Sequence, residues 1–252
     1  TVPRLLDRLD LAPGDEVVVV DSGSTDHTLD IAERHGARAF RAPPPFNYSK
    51  SLNIGFRNAR NSWVLVISSH SIPQVPDLLA IFRAAAAAFP ADVVAGYGMN
   101  LVDARIRSAD EKIKYFTVEN VPSESGGVGN TVALYRRSAW EAGAFDESIR
   151  TAEDHLWMVS RAKQGARFAF VPAARTLNCN SYSLRYMFMK GYSDARAGTG
   201  AKMTLRQLAL NWGSTTKRLL FDRMSPGNWI RLLAHGMGAC AGSHAERGNK
   251  PW

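Results

Sequence analysis

Apolar residues arrive in two rhythms along the first hundred positions. Val2–Leu11 places Leu5, Leu6 and Leu9 on one side of a short helix. Asp15–Asp21 (DEVVVVD) follows Pro13-Gly14 as a β-branched run, the pattern of a strand buried on both faces. Ser22-Gly23-Ser24 is turn chemistry, and Ser24 or Thr25 can cap a helix running to about Arg34. Ala37–Arg41 predicts a second strand, and Pro43-Pro44-Pro45 stiffens the loop after it. Helical spacing returns over Asn47–Arg60 through Leu52, Phe56 and Ala59. Trp63–Ile67 is another buried strand, stopped by Ser68-Ser69-His70-Ser71 and Pro73; Pro76–Ala88 is an alanine-rich helix and Asp92–Leu101 the next strand. This alternation predicts an α/β fold, a mostly parallel sheet flanked by helices.

The middle of the chain loses that regularity. Asp103–Val121 is charged and mixed, and Pro122–Asn130 (PSESGGVGN) reads as a Gly/Ser loop. Thr131–Tyr135 predicts a strand and Arg136–Ala142 a short helix. Thr151-Ala152-Glu153-Asp154 has the pattern of a capping box opening a helix to about Gln164. Arg167–Val171 and Arg175–Asn180 read as two late strands, and beyond Ser183 the pattern is helical, broken near Gly198–Gly200, Gly213 and Pro226-Gly227. A doubly wound sheet normally has a strand ahead of its first helix, whereas this sequence opens on the helix, without Met. The expectation is a truncated start, with the first strand missing.

Composition narrows the class. With 45% apolar and 21% charged residues, the 252-residue chain can build a full globular core. Trp63–Ile67 and Ala84–Phe89, the longest plainly apolar runs, fall far short of the roughly 20 residues of a membrane span. Cys179 and Cys240 make neither a disulfide framework nor a zinc quartet, which points to a reducing, cytoplasmic setting. The net charge of +8 is uneven: from Arg175 onward there are 12 Lys/Arg against 3 acids. Such a tail suits an anionic partner, a diphosphate, an acidic membrane surface or nucleic acid, or else is a solvated helical face.

Ligands in parallel sheets bind beyond the carboxyl ends of strands. That singles out Asp21–Asp26, Ser68–Ser71 and Glu153-Asp154. Asp21 leaves the core after four valines, where its carboxylate can accept from a nucleobase N–H or ribose hydroxyls. Two readings stand side by side here: Asp21 and Asp26 as ligand contacts or as turn-formers and caps. Glu153-Asp154 also complements a helix dipole. There is no Walker lysine motif, no zinc pattern, no G-x-S-x-G elbow and no G-x-G-x-x-G in Gly126–Asn130.

Four blocks, in order, resemble the inverting glycosyltransferases of family 2, which have the GT-A fold. They are VVVVDSGSTDHT (Val17–Thr28), FNYSKSLNIGFRNARNSWVLVISSHSIP (Phe46–Pro73), GVGNTVALYRRSAWEAGAFDESI (Gly127–Ile149) and AEDHLWMVSRAKQG (Ala152–Gly165). The resemblance implies a GT-A-like domain over 1–200 and a basic helical extension over 201–252. It implies that Asp21, Ser22, Gly23, Asp26, Lys50 and Ser69 bind the nucleotide. Asp154 would be the catalytic base, with Glu153 beside it positioning the acceptor or holding Asp154. Gly129, Asn130 and Arg185 would lie on the acceptor side. Arg185, Tyr186, Lys190 and Tyr192 fall where the family often closes a lid over the diphosphate. The chemistry agrees, since a sugar hydroxyl needs a carboxylate to take its proton and the leaving diphosphate needs stabilising charge.

The family commonly carries Asp-x-Asp for a divalent metal, Mn²⁺ or Mg²⁺, where this chain has Ser68-Ser69-His70. Two roles stay open for His70, direct metal ligation or, protonated, contact with phosphate. A His in this loop also resembles rhamnosyltransferases of the family. The absence of Gln-x-x-Arg-Trp argues against a processive polysaccharide synthase. The implied function is transfer of a hexose or deoxyhexose from a nucleotide-diphosphate sugar donor to an acceptor hydroxyl on a glycan or lipid-linked acceptor, in cell-surface polysaccharide biosynthesis. The alternative is a nucleotide-sugar binding module without catalysis. A nucleotidyltransferase would need a Gly-rich triphosphate loop that this chain lacks, and nucleic acid is the weakest of the partners. Leu205, Leu208, Trp212 and Leu219 interleaved with Lys217, Arg218 and Arg223 suit a peripheral helix on the inner membrane face, or one packed on the catalytic domain.

Overall fold

The computed structural model describes residues 2–100, 114–116, 129–149 and 152–179, with isolated positions from 184 onward. The chain divides into two compact units, Thr1–Pro122 with Gly126–Cys179, and Ser123–Ser125 with Asn180–Trp252. The expected Gly/Ser loop up to Val128, Tyr186, Lys190 and nearly all of the basic extension lie outside the described residues.

The first unit begins with α1 (Val2–Leu6), β1 (Val18–Asp21), α2 (Thr28–Arg34) and β2 (Arg38–Arg41). α1 is shorter than the periodicity predicts because the chain beyond it is taken up by tertiary bonds. Arg8 Nη1 donates to Pro73 O at 3.1 Å, and the Asp10 carboxylate accepts the Leu79 and Ala80 N–H groups at 2.9 and 3.2 Å. β1 likewise starts at Val18, because Glu16 accepts from Arg38 and from the Arg60 N–H instead of continuing the ladder. β1 and β2 pair in parallel across the α2 crossover, as strand–helix–strand alternation requires.

Next come α3 (Tyr48–Asn58), β3 (Trp63–Ile67), β4 (Ser71–Pro73), α4 (Leu78–Ala88), β5 (Val93–Asn100) and β6 (Lys114–Phe116). β7 (Val132–Arg136), α5 (Arg137–Glu141), α6 (Glu153–Lys163) and β8 (Phe168–Asn178) complete the described elements. The six later strands form one sheet in the order β3-β7-β5-β8-β4, with β6 also on β8. The α/β class with flanking helices is as expected; the strand directions are not. Of the described ladders, β1–β2 and β5–β8 are parallel, and the four others are antiparallel. Alternation reveals strands joined by crossover helices. It says nothing of β7, which inserts between β3 and β5 against both.

β8 replaces the two late strands expected. Pro172 falls between Phe168–Phe170, which pair with β6, and Thr176–Asn178, which pair with β4. A missing N–H costs least at such an interruption. The β5 register also shifts there, between Ala95 and Tyr97. Gly96 lies at that shift, and a Cβ on it would come 2.5 Å from Ala174 O. A Cβ on Gly98 would overlap the Thr131 side chain.

Alternate residues of each strand feed two apolar layers. Phe56, Val93, Tyr135, Trp140, Phe145, Trp157 and Phe168 pack on the side of α3, α5 and α6, while Leu78, Phe82, Val94, Leu134 and Ala169 pack under α4. Phe56 stacks on Trp140 with ring centroids 5.2 Å apart. No helix among the described residues is long and apolar enough to cross a membrane.

Candidate active site

The DSGSTD segment folds as its composition dictates. The buried Asp21 carboxylate accepts the Gly23 N–H at 3.1 Å and the Ser24 N–H at 3.1 Å, and Gly23 turns the chain at φ 120°, which favours glycine. Burial alone would push the Asp21 carboxyl up. The Ser24 side chain, the Gly23 and Ser24 amides and Arg41 at 3.9 Å outweigh it and hold the group below its ordinary value. Asp26 is exposed and its Oδ1 accepts the Thr28 N–H at 3.1 Å. The cap expected of Ser24 or Thr25 does not form: α2 begins at Thr28 after His27 with no side-chain cap, and Asp26 bonds the Thr28 N–H from one residue further out.

Ser68 and the cluster around Asp154 are joined directly. Ser68 Oγ donates to Asn130 O at 3.1 Å, and the Ser68 N–H donates to Thr131 O at 3.1 Å. Asn130 in turn grips both acids: its backbone N–H donates to Asp154 Oδ2 and its Nδ2 to Glu153 Oε1, each at 3.1 Å. Asp154 Oδ1 accepts the His155 N–H at 2.8 Å. Each Asp154 oxygen accepts one of these N–H groups, and a carboxylate oxygen has a second lone pair to offer. A Cβ on Gly129 would lie 3.6 Å from Asp154 Oδ2, so that position forms part of the wall around the carboxylate.

Tyr135 was not anticipated as a site residue. Its hydroxyl, on a fully buried ring, donates to Asn130 Oδ1 at 2.7 Å and fixes which end of the Asn130 amide faces Glu153. Burial, then the nearby Asp154 and Glu153 charges, push the Tyr135 phenol well above its ordinary value, so it remains a donor. Nothing in the local sequence signals this, since Tyr135 reads as an ordinary core residue of a strand.

The anticipated capping box rests on Thr151 and is outside what the structure describes. The residue preceding α6 is Ala152, left-handed at φ 59° and ψ 30°, and it makes no side-chain cap; Thr151 lies outside the described residues. The acids are therefore placed from across the fold. Asn53, fully buried in α3, makes four hydrogen bonds: Nδ2 to Phe145 O and Glu147 Oε1, and Oδ1 from Trp140 Nε1 and the Phe145 N–H, at 2.9–3.1 Å. Asn47 caps α3 through the Lys50 N–H and donates to Glu147 O and Ile149 O. Together they clamp the segment that leads into Glu153-Asp154. Lys50 lends its charge to Glu147, whose carboxyl is held low by Asn53, against burial, and then by Arg57 and Lys50.

His70 is half-buried, and that burial lowers its pKa, which favours the neutral imidazole over the phosphate-contacting cation. Ser69 is exposed beside it. Among the described residues no three His, Cys, Asp or Glu side chains converge as metal ligands. Ser68, Ser69 and His70 offer one imidazole and two hydroxyls in place of the Asp-x-Asp carboxylates, a weaker donor set for a hard divalent cation. Arg185 is exposed in the second unit.

A cavity of about 840 Å³ opens beside this cluster, and its walls include Val20, Ser68, Asn130 and Glu153. Asp21 stands one residue beyond Val20, at the end of β1.

Comparison with known proteins identifies the fold and the family. The chain superimposes on a mannosyltransferase from Pyrobaculum calidifontis, solved with GDP-Man and Mn²⁺, at a TM-score of 0.62 and 15% identity, over 95% of this chain and 82% of that one. It superimposes on S. aureus TarS with UDP-GlcNAc at a TM-score of 0.57 and 19% identity, over 75% of this chain and 60% of that one. It also matches glucosyl-3-phosphoglycerate synthase from Mycobacterium tuberculosis, solved with Mn²⁺, UDP and glucosyl-3-phosphoglycerate, at a TM-score of 0.57 and 17% identity, over 81% and 78% of the two chains. At these identities the likeness is one of fold, the GT-A arrangement. No curated protein matches the sequence. Residues 1–143 match Glycosyl transferase family 2, and by that match, across more than half of its length, the chain belongs to this family.

Proposed function

We propose that the chain is an inverting glycosyltransferase that moves a hexose or deoxyhexose from a nucleotide-diphosphate sugar to an acceptor hydroxyl, on a glycan or lipid-linked acceptor of the cell surface. The observation that carries this reading is the Asn130–Glu153–Asp154 cluster, hydrogen-bonded to Ser68 at a cavity wall. Asp154 takes the acceptor proton as the hydroxyl oxygen attacks the anomeric carbon. The bond from that carbon to the diphosphate breaks on the opposite face, and its electron pair leaves with the nucleoside diphosphate. Glu153 and Asn130 hold the base and the acceptor. Asp21, Ser22, Gly23 and Asp26 border the nucleoside, and Lys50, Ser68, Ser69 and His70 border the diphosphate.

Relatives solved with Mn²⁺ support metal-assisted departure of the diphosphate, while the Ser68-Ser69-His70 donor set makes this chain's own hold on a metal weak. The basic extension suits a peripheral place on an anionic membrane. The same donor set favours a second reading, in which the chain binds the donor without transfer.

The test is turnover with GDP- and UDP-sugars over an acceptor panel, with and without Mn²⁺, for wild type and Asp154→Asn. A fall in kcat of about 10³-fold, with donor affinity kept, is expected for a general base. Full activity in the variant removes Asp154 from the role, and donor binding without any transfer by wild type favours the second reading.

A further inference from the structure

His70 and Cys179 meet at the end of one ladder. The Cys179 N–H donates to His70 O at 2.8 Å, which continues the register in which Ser71 faces Asn178 and Ile72 faces Leu177. Residues directly opposite in an antiparallel pair have Cβ atoms about 4.5–5.5 Å apart. The Ser71 N–H donates to Ser68 O at 2.8 Å, so a tight turn returns the chain from β3 and delivers His70 to that place.

The pair stands on the sheet face that carries the candidate base. Tyr97, on β5, packs on the layer that includes Trp157 and Met158 of α6, and it pairs with Arg175 of β8. Two-residue alternation then brings Leu177 and Cys179 to the same face. Ser71 and Thr176, on the other face, are fully buried, whereas His70 is half-buried and Cys179 is exposed. The His70 ring makes no hydrogen bond among the described residues, and the Cys179 thiol meets a weak acceptor, Leu177 O at 3.5 Å.

We infer that His70 and Cys179 form a two-point site for a borderline or soft divalent cation of the Zn²⁺ class. The donors set the choice of ion. Imidazole nitrogen and thiolate sulfur suit zinc, whereas Mg²⁺ and Mn²⁺ favour carboxylate oxygens. Bonds of about 2.0–2.1 Å to nitrogen and about 2.3 Å to sulfur let one ion bridge side chains that stand opposite each other. The thiol proton passes to solvent as the metal–sulfur bond forms. Cys179 thus supplies, from another strand, a donor that the Ser68-Ser69-His70 loop lacks. A tetrahedral ion keeps two further positions, which two oxygens of a diphosphate can fill. That completion rests on the function proposed above, and the His70–Cys179 part does not.

The test uses the whole chain, kept reduced with a phosphine. Zn²⁺ and Mn²⁺ binding are read by calorimetry and Co²⁺ binding by absorbance. The results expected are one-to-one Zn²⁺ binding and a thiolate-to-cobalt charge-transfer band in the near ultraviolet. Cys179→Ser should lose the band and bind Zn²⁺ about tenfold or more weakly, with Mn²⁺ affinity little changed. His70→Gln should weaken Zn²⁺ by about tenfold or more with an unchanged circular-dichroism spectrum, and Cys240→Ser should keep both band and affinity. Excess GDP or UDP should tighten Zn²⁺ about fivefold or more, and Zn²⁺ should tighten the nucleotide by the same factor. Overturning results are absence of the band, a band that survives Cys179→Ser or is lost in Cys240→Ser, or full Zn²⁺ affinity in His70→Gln. A nucleotide that binds without tightening Zn²⁺ overturns the place given to the diphosphate. Failure of both nucleotides to bind, with the band and its dependence on Cys179 intact, would sink the transferase reading and leave the cation site standing.

Discussion

Asp21 and Asp154 both stand where a strand or loop gives way to a helix, and they are held in opposite ways. Asp21 is satisfied by Gly23 and Ser24, two and three residues further on. Asp154 depends on Asn130, 24 residues earlier in the chain, and Asn130 depends on Tyr135, while Asn53 and Asn47 secure the segment leading into α6. A turn of the first kind is nearly complete once four residues are in place. The second arrangement exists only after α3, β7 and α6 have packed, so its geometry is as sensitive as the packing itself.

Asn53→Ala should do the most damage to the long-range side. It strips partners from the Trp140 indole and both backbone groups of Phe145 in a dry core. A loss of about 3–4 kcal/mol by urea unfolding is expected, and a loss below about 1 kcal/mol would break the contrast with Asp21. Asn130→Ala comes next. It keeps the backbone N–H on Asp154 but releases Glu153 and orphans the Tyr135 hydroxyl. A fall in kcat of about 10–100-fold at little-changed KM is the expected cost of lost positioning, and Tyr135→Phe should show a smaller fall in the same direction.

On the local side, Asp21→Asn should cost about 1–2 kcal/mol at pH 7, since one amide oxygen replaces two carboxylate oxygens. The folded group titrates below its unfolded value, so its stabilisation is present above the unfolded pKa of about 3.9 and is lost as pH falls through the folded pKa. Wild type and variant should therefore converge as unfolding is measured from pH 7 down to pH 3. Ala152→Gly sharpens the comparison with the smallest effect, a gain of about 0.5–1 kcal/mol. Alanine at φ 59° is strained, and glycine relieves that at some entropic cost.

Legibility in the sequence followed the same division. The β-branched run before Asp21, the turn residues after it and the helices over Asn47–Arg60 and Pro76–Ala88 stand close to where their local patterns put them. The Glu153-Asp154 pair was singled out by its place beyond the strand ends, while its expected role came from resemblance alone, because a Glu-Asp step at a helix start carries no periodic signal. Tyr135, Asn53 and the direction of β7 were illegible for one physical reason. Each acts through partners tens of residues away, and hydrophobic spacing cannot say which face of which strand those partners will occupy. The two late strands expected prove to be one, β8, with Pro172 at a point where the fold tolerates a missing donor.

Gly98 gives the sheet an unexpected kind of control. Thr131 fits against β5 only because position 98 has no side chain, and Thr131 is the next link after Asn130. Replacing this glycine with a bulkier residue to stiffen the strand would shove Thr131 outward and lengthen the reach from Asn130 to Asp154. A position with no side chain at all would then govern the spacing within the candidate site.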